Sequence, residues 1–262
     1  MLPGIFSSGR KGPISMRRKS SEIVVRMTTL ALLSALGFVL MAFAKIEYPP
    51  APWLKIEISD MVVLIAYAMY GFFGGFSVAI IKTVLDLAVW GPVGLGIGNI
   101  TALFTSCMFL LGLFLTSHVF HWFRKGLGFR ILSYLFITLL VTISLTALNA
   151  IFITPSYLTV FGEHPHFSTC FDPGAIENVV HYFHGKNVMV DQGSYIGIIS
   201  LIYGPFNLLK ASICFVTYEL VFNRLIFVLV LRSPRMQKYF STGAVFSDKR
   251  RDGQVEEKKE QK

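Results

Sequence analysis

The sequence predicts an all-α membrane protein whose chain crosses the bilayer as six transmembrane helices. Three observations carry this prediction. Apolar residues make up 53% of the 262-residue chain and charged residues only 15%, whereas a soluble domain usually carries about 25% charged residues. The charges are concentrated near both ends and in a short segment at 121–130. Between them lie long apolar runs, and about 20 apolar residues cross a bilayer as one helix. An ordinary cytosolic enzyme is therefore excluded.

The first three predicted spans lie close together in the N-terminal part of the chain. Span one covers 23–44, and Arg26 lies near enough to its end to reach the headgroups. A loop with three prolines follows at 45–60. The second run, 61–70, is too short to span alone, so we expect it to borrow from the loop before it or to lie tilted inside the bundle. The third span is Phe72–Trp90.

Three more spans complete the predicted bundle, at about 95–120, at 131–153 and at 205–231. The segment 154–194 is polar and contains four of the six histidines, so we interpret it as a long loop. The apolar stretch 195–231 would be about 55 Å long as one helix, at about 1.5 Å per residue. We therefore expect a new helix to begin at Gly204-Pro205, because proline is favoured in the first helical turn.

The distribution of basic residues predicts the orientation of these spans. Seventeen of the 24 lysines and arginines lie in the first 22 residues, in 121–130 and in the last 31 residues. Basic residues favour the cytoplasmic side, so both termini are predicted to be cytoplasmic. Residues 1–22 then form a basic N-terminal segment, 23–231 the membrane domain, and 232–262 a charged tail. We attribute the basic ends to membrane anchoring, since no nucleic-acid-binding motif is present.

Polar side chains within the predicted spans fall at a common depth. At about 1.5 Å per residue, all lie within about 10 Å of the outer boundary: Asp86, Asn99, Asn149, Asn207 and Lys210. Polar groups inside a membrane are hypotheses of function. Three amides and one ammonium suit a neutral heterocycle that has both carbonyl and N–H edges, and nearby aromatic rings offer stacking. The alternative is that these groups only make hydrogen bonds between helices or pair with Asp86.

The spacing of Lys82 and Asp86, i and i+4 on one helix, favours a self-contained ion pair. Proton or ion coupling is the alternative, and it would make the protein an ion-coupled secondary transporter. Glu219 lies toward the inner end of the last span, where Asn223 and Arg224 offer a local pair.

Metal binding is the less favoured interpretation of the histidines. His164, His166, His181 and His184 have spacings that permit zinc ligation, but a solvated loop explains them better. His118 and His121 are interpreted as residues of the membrane interface. The three cysteines form no disulfide or metal motif. No metal and no cofactor are predicted.

Small residues in the first span indicate a helix-packing surface. Ala31 and Ala35 form a small-xxx-small pattern, which lets another helix approach closely; internal packing is the alternative. The chain has no GxxxxGK[ST] segment, so any role driven by ATP requires a partner subunit.

Several motifs together resemble the substrate-binding S components of energy-coupling-factor vitamin transporters, and most of all their riboflavin-specific members. The residues that carry the resemblance are Ala31-Leu-Leu-Ser-Ala35, Leu54-Lys-Ile-Glu-Ile-Ser-Asp60, Gly91-Pro92 before Asn99, Leu148-Asn149, Phe152-Ile-Thr-Pro155 and Gly204-Pro-Phe-Asn-Leu-Leu-Lys210. The resemblance covers about residues 20–232, and the last motif is the most specific of them.

This resemblance implies capture of riboflavin at the outer face of a bacterial plasma membrane, without enzymatic activity. Asn149, Asn207 and Lys210 would bind the polar edge of the isoalloxazine ring, with Asn99 as a further candidate. Leu54 and Glu57, in the segment before span two, would help close over the ligand. Ala31 and Ala35 would face a membrane coupling subunit that carries two ATPase subunits. An S component for a different vitamin is the alternative within the family.

Overall fold

The structure is a computed structural model that describes residues 13–49, 51–122, 127–161, 166–185 and 190–221. Its elements in these ranges are α1 (Pro13–Phe43), β1 (Lys45–Tyr48), β2 (Ala51–Glu57), α2 (Ser59–Tyr70), α3 (Phe72–Trp90), α4 (Ile97–Phe114), α5 (Leu127–Leu148), α6 (Thr154–Val160), α7 (Pro173–His184) and α8 (Gln192–Tyr218). Five helical segments of this part of the chain are long and apolar enough to cross a membrane, and α2 is a shorter apolar helix. The predicted helical membrane bundle is confirmed. The number of crossings and the side of the termini stay predictions.

Helix α2 is the centre of the bundle. All 12 of its residues are buried, and it packs against α1, α3, α4 and α8. At about 1.5 Å per residue it is about 18 Å long, so the run that was too short to span lies inside the protein. Gly71, with φ 77°, then turns the chain into α3, a backbone conformation that glycine adopts without steric cost.

The remaining long helices surround α2 in sequence order. Helix α3 packs between α1 and α4, α4 packs against α5, and α5 packs against α8. Helices α4 and α5 pack tightly at Gly112, where an added Cβ would lie 2.6 Å from Ile137 Cγ2. A hydrogen atom on Gly112 is therefore what lets these two helices meet.

A β-hairpin connects α1 to α2, where the sequence analysis expected a loop. Strands β1 and β2 are antiparallel, with Ile46 opposite Ile56 and Glu47 opposite Lys55. The Lys55 ammonium lies 3.6 Å from the Glu47 carboxylate, on the exposed side of the hairpin. The hairpin leads directly into α2 and also contacts α8.

The interpretation of 154–194 as a long polar loop is wrong. Helix α5 continues through a π-helical turn, Asn149–Ile153, into α6. Helix α7 then begins after Asp172, whose carboxylate accepts a hydrogen bond from the Gly174 N–H. A hydrogen bond from the Ser168 hydroxyl lowers the pKa of Asp172 below its ordinary value. The polar residues of α7 lie on its exposed face. Its apolar residues Ala175, Val179 and Val180 are buried against the bundle.

The prediction that a new helix begins at Gly204-Pro205 is also wrong, because α8 continues through Pro205 as one helix. The proline removes one backbone donor, which the carbonyl of Leu201 would otherwise have used. The length argument failed because the outer half of α8 packs against α7 and the hairpin as well as the bundle. Residues beyond 221, including the predicted inner end of this span, lie outside the described residues.

Candidate binding site

Two apolar clusters divide the interior. The outer cluster is formed by β2, α7 and the first half of α8, and its buried members are Ala51, Leu54, Val179, Val180, Tyr195, Ile198, Ile199, Tyr203 and Phe206. The inner cluster is the core around α2, and it includes Met61–Tyr70, Leu145, Ala211 and Cys214. The candidate binding site lies at the boundary between these two clusters.

Three parts of the chain place polar residues at that boundary. On α8, Phe206 belongs to the outer cluster and Ala211 to the inner one, and Asn207 and Lys210 lie between them. At the end of β2 and the start of α2, Glu57, Ser59 and Asp60 separate Leu54 from Met61. In the last turn of α5 and the π-helical turn after it, Thr146 and Asn149 follow Leu145. With Lys82 and Ser106 these make nine residues, which are called the polar layer.

Lys210 lies in the polar layer between two carboxylates. Its ammonium is 3.5 Å from Glu57 Oε1 and 3.9 Å from Asp60 Oδ2, and its side chain is only 9% exposed. Both distances exceed the roughly 2.7–2.9 Å of a short charge-assisted hydrogen bond. The buried ammonium of Lys210 therefore has two acidic neighbours, Glu57 and Asp60.

Lys82 and Asp60 form a fully buried ion pair. Lys82 Nζ lies 2.7 Å from Asp60 Oδ1 and donates to Ser59 Oγ at 3.0 Å. Ser106 Oγ donates to the same Asp60 oxygen at 2.6 Å. The ion pair and its serine partners therefore connect α2, α3 and α4 within the polar layer. The polar layer contains two lysines and two carboxylates, so its formal charges balance.

The expected ion pair between Lys82 and Asp86 is not formed. Lys82 turns into the interior, because Asp60 at the start of α2 is the acceptor that compensates a buried ammonium there. Asp86 instead accepts a hydrogen bond from Asn99 Nδ2 at 2.8 Å. Asn99 is thus engaged in a contact between α3 and α4, near the segment that connects them, rather than with the amides of α5 and α8.

The two other amides are buried where α5 and α8 meet. Asn207 Nδ2 donates to Thr146 Oγ1 at 3.2 Å. Asn149 Nδ2 donates to the Leu145 carbonyl of its own helix at 2.7 Å. Asn149 Oδ1 is buried and accepts no hydrogen bond from any described residue. Asn149 opens the π-helical turn, a local widening that is frequent at functional sites.

The outer cluster covers the polar layer from the loop side of the bundle. Leu54, which is 8% exposed, belongs to the outer cluster. Glu57, at the end of β2, belongs to the polar layer and lies against Lys210. The ring of Tyr48 lies 5.2 Å from that of Phe206, the residue before Asn207. Tyr195 donates a hydrogen bond to the Ala150 carbonyl in the π-helical turn. Aromatic and apolar groups thus flank the amides and the ammonium.

The structure adds Ser106 and Thr146 to the residues that the sequence singled out. It also places Ser59 and Asp60, which the sequence analysis quoted only as part of the Leu54–Asp60 motif, in the polar layer. One signal was available for Asp60, a carboxylate directly before an apolar run too short to span. Ser106 and Thr146 gave no signal, since isolated hydroxyl residues in an apolar run are common core residues.

The histidines do not assemble a metal site within the described part of the chain. No group of three or more histidine, cysteine or acidic residues there is placed to hold a metal ion. His181 and His184 lie in the last turn of α7, where His181 Nδ1 is 3.8 Å from Glu177. His118 Nδ1 lies 2.8 Å from Ser117 Oγ in the π-helical turn that follows α4. His164 lies outside the described residues.

Glu219 has partners other than the ones expected. It accepts a hydrogen bond from the Tyr134 hydroxyl at 2.5 Å and lies 3.6 Å from Arg130 Nη1. It therefore joins the last helix to α5. Asn223 and Arg224, the expected local partners, lie outside the described residues.

The small residues of α1 lie on its exposed face. Ala31 and Ala35 are both exposed, whereas Ser34 and Gly37 face the bundle. At Gly37 an added Cβ would lie 3.5 Å from Lys82 Cδ, so the buried lysine packs against this helix. The alternative that Ala31 and Ala35 serve internal packing does not hold.

Fold and site together define a helical membrane protein with a polar layer buried beneath an apolar cap. Comparison with protein families says which kind of membrane protein this is. Residues 25–222 match the family described as "ECF transporter, substrate-specific component". The chain belongs to this family, whose members are transport components and not enzymes.

Individual relatives agree with this assignment. The chain is 28% identical over 204 residues to the riboflavin transporter FmnP of Bacillus subtilis, covering 77% of this chain and 92% of that protein. It is 25% identical over 214 residues to the riboflavin transporter RibU of Streptococcus thermophilus, covering 78% and 84%. A solved S component of a bacterial ECF transporter shares the fold, with a TM-score of 0.52 and 24% identity over 78% of this chain and 96% of that one.

Proposed function

We propose that this chain is the riboflavin-binding S component of an ECF transporter in a bacterial plasma membrane. Two riboflavin transporters among its relatives support this choice of substrate. The observation that carries the proposal is the position of Asn149, Asn207 and Lys210, buried together between the two apolar clusters.

The chemistry of this layer matches the polar edge of a flavin. The pyrimidine edge of an isoalloxazine ring presents a carbonyl, an N–H and a second carbonyl in sequence. Lys210 and the amide nitrogens are donors for carbonyl oxygens, and Asn149 Oδ1 is a buried acceptor for the N–H. A buried acceptor without a partner costs free energy in the unliganded protein, and such a ligand would remove that cost.

The apolar cap has a matching role in the proposal. The hydrophobic part of the ring system would lie against the outer cluster, where Phe206 and Tyr48 offer aromatic faces. Leu54 and Glu57 belong to the hairpin segment that would close over the ligand. Asn99, through Asp86, would act at the outer rim rather than on the ring.

Release of the vitamin inside the cell requires energy that this chain does not supply. We assign that role to a membrane coupling subunit with two ATPase subunits, in keeping with the family. The exposed face of α1 that carries Ala31 and Ala35 would contact the coupling subunit. Small residues there permit close approach of another helix.

Lys210→Ala and Asn207→Ala test the assignment of the site. Each removes a group that would bind the ring edge, so each should raise the riboflavin dissociation constant by about 10-fold or more, as expected for a hydrogen bond lost from a buried site. Titration of the purified chain, followed by quenching of flavin fluorescence, measures this. Lys45→Ala and Asn178→Ala change the same residue types at exposed positions and should leave binding unchanged. Equal affinity in all four variants would place the ligand elsewhere.

A further inference from the structure

The Asp60 carboxylate is shared unequally by two buried lysines. Its Oδ1 is 2.7 Å from Lys82 Nζ and accepts a hydrogen bond from Ser106 Oγ at 2.6 Å. Its Oδ2 lies 3.9 Å from Lys210 Nζ and accepts no hydrogen bond from the described residues. One oxygen is thus fully engaged, and the other faces the ammonium of the candidate site without binding it tightly.

Because the three charged groups are buried, their positions strongly affect one another. Asp60 and Lys82 are completely buried, and Lys210 nearly so, so their charges are weakly screened by solvent. The two lysines therefore compete for one carboxylate. Without Lys82, Asp60 would carry an uncompensated charge, and Lys210 would be the nearest described cation to neutralise it. A short Lys210–Asp60 bond would then use hydrogens of the ammonium that a substrate needs.

We propose that Asp60, held by Lys82 and Ser106, positions the Lys210 ammonium for the substrate. The proposal rests on the function proposed above and adds three positioning residues to it, none of which needs to touch the ligand. Lys82 and Ser106 keep Asp60 at a distance where it attracts Lys210 and balances its charge. The ammonium then stays in the polar layer with its hydrogens available for a carbonyl oxygen.

The lysine at position 82 allows a test by charge removal. Lys82→Met keeps an unbranched side chain that is one heavy atom shorter and removes its charge. It should raise the riboflavin dissociation constant about 30-fold, since an uncompensated buried carboxylate captures Lys210. The double variant Lys82→Met/Asp60→Asn removes both charges. It should recover most of the affinity that Lys82→Met loses, because no carboxylate is left at position 60 to capture Lys210. The dissociation constant should stay about 5-fold above that of the unaltered protein, because Asp60 no longer positions the ammonium.

Ser106→Ala provides a milder variant that leaves every charge in place. It removes one hydrogen bond from Asp60 Oδ1 and should raise the dissociation constant about 5-fold. Ser133→Ala is its matched control, since Ser133 is also buried and donates to the Phe129 carbonyl in its own helix. The control should change binding less than about 2-fold.

A Lys210→Met background separates positioning from a merely structural role. If Asp60 acts through Lys210, Lys82→Met and Ser106→Ala should each have less than about a 2-fold effect once Lys210 is absent. The same fold-change on both backgrounds would overturn the proposal, as would equal affinities of Ser106→Ala and Ser133→Ala. If Lys82→Met does not fold, the Ser106 series decides alone. Failure of the unaltered chain to bind riboflavin would instead refute the proposed function itself.

Discussion

Asn149 is a residue at which stability and ligand binding make opposite demands. Its amide nitrogen bonds only one turn back in its own helix, and its buried Oδ1 has no partner among the described residues. Such an acceptor lowers stability in the unliganded protein, since a buried polar group without a partner pays its full desolvation cost. We interpret this cost as the consequence of keeping an acceptor ready for a ligand.

Replacing Asn149 by leucine tests this interpretation. Asn149→Leu keeps the approximate shape and removes the unpaired acceptor, so the unfolding temperature of the unliganded protein should stay the same or rise. Riboflavin affinity should fall by about 10-fold or more, because the acceptor for the ring N–H is lost. Thermal unfolding without ligand and flavin titration measure the two effects. A variant that is much less stable, or that binds as the unaltered chain does, would refute the role assigned to Asn149.

At the residue scale, the sequence predicted the buried amides and Lys210 but not their partners. Depth within a helix follows from counting residues, so Asn149, Asn207 and Lys210 could be placed at one level. The contact between Ser106 and Asp60 joins residues 46 positions apart. Such a contact depends on how α2 and α4 pack, which a count along single helices does not contain.

At the scale of elements, the long apolar runs were predictable and their ends were not. The predicted third span and α3 have the same bounds, Phe72–Trp90, because Gly71 and Gly91 flank this apolar run. The hairpin was missed because its prolines favour a loop, although all four residues of β1 pair with β2, with a register shift between Glu47 and Tyr48. Helix α7 was missed because its polar face dominates its composition, while only three of its residues are buried. Pro205 misled us because tertiary packing on α8 outweighs one lost backbone hydrogen bond.

The contact between α4 and α5 gives a prediction about stability. At Gly112 an added Cβ would lie 2.6 Å from Ile137 Cγ2 and 3.0 Å from Ile137 Cγ1. Isoleucine is stiff at χ1, so Gly112→Ala must push the helices apart. Overpacking of this kind costs about 1–3 kcal/mol, which outweighs the gain of about 0.5–1 kcal/mol from removing a helical glycine.

Gly98→Ala is the matched control on the same helix, since an added Cβ there meets nothing within 4 Å. In thermal unfolding we expect Gly112→Ala to lower the unfolding temperature and Gly98→Ala to leave it unchanged or raise it. An unfolding temperature for Gly112→Ala at or above that of Gly98→Ala would show that the α4–α5 contact is looser than described.

The described part of the molecule has three layers, and each has its own part in the proposed transport cycle. The inner cluster forms the core of the bundle. Asn149, Asn207 and Lys210 of the polar layer would bind the ring edge, and the hairpin with α7 would cover it. The exposed face of α1 lies outside all three. This separation predicts that contact with a coupling subunit and capture of the ligand can be disrupted independently.

Tryptophan substitutions on α1 test that separation. Ala31→Trp and Ala35→Trp add bulk to an exposed face, so they should abolish riboflavin uptake by cells while leaving the affinity of the purified chain unchanged, because neither residue contacts the polar layer. Ile143→Trp is the control, since Ile143 is 67% exposed on a different helix, α5, and it should retain uptake. Undiminished uptake in both alanine variants would exclude this face as the coupling surface.

Equilibrium binding of riboflavin to the purified, full-length chain tests the central claim most directly. The account predicts saturable quenching of flavin fluorescence, with one flavin per chain and a dissociation constant below about 1 μM, an affinity of about 8 kcal/mol or more. An absorbance scan of the purified protein should also show flavin when the vitamin was present during growth. Folded protein that neither carries flavin nor quenches its fluorescence would contradict the claim that riboflavin is the substrate.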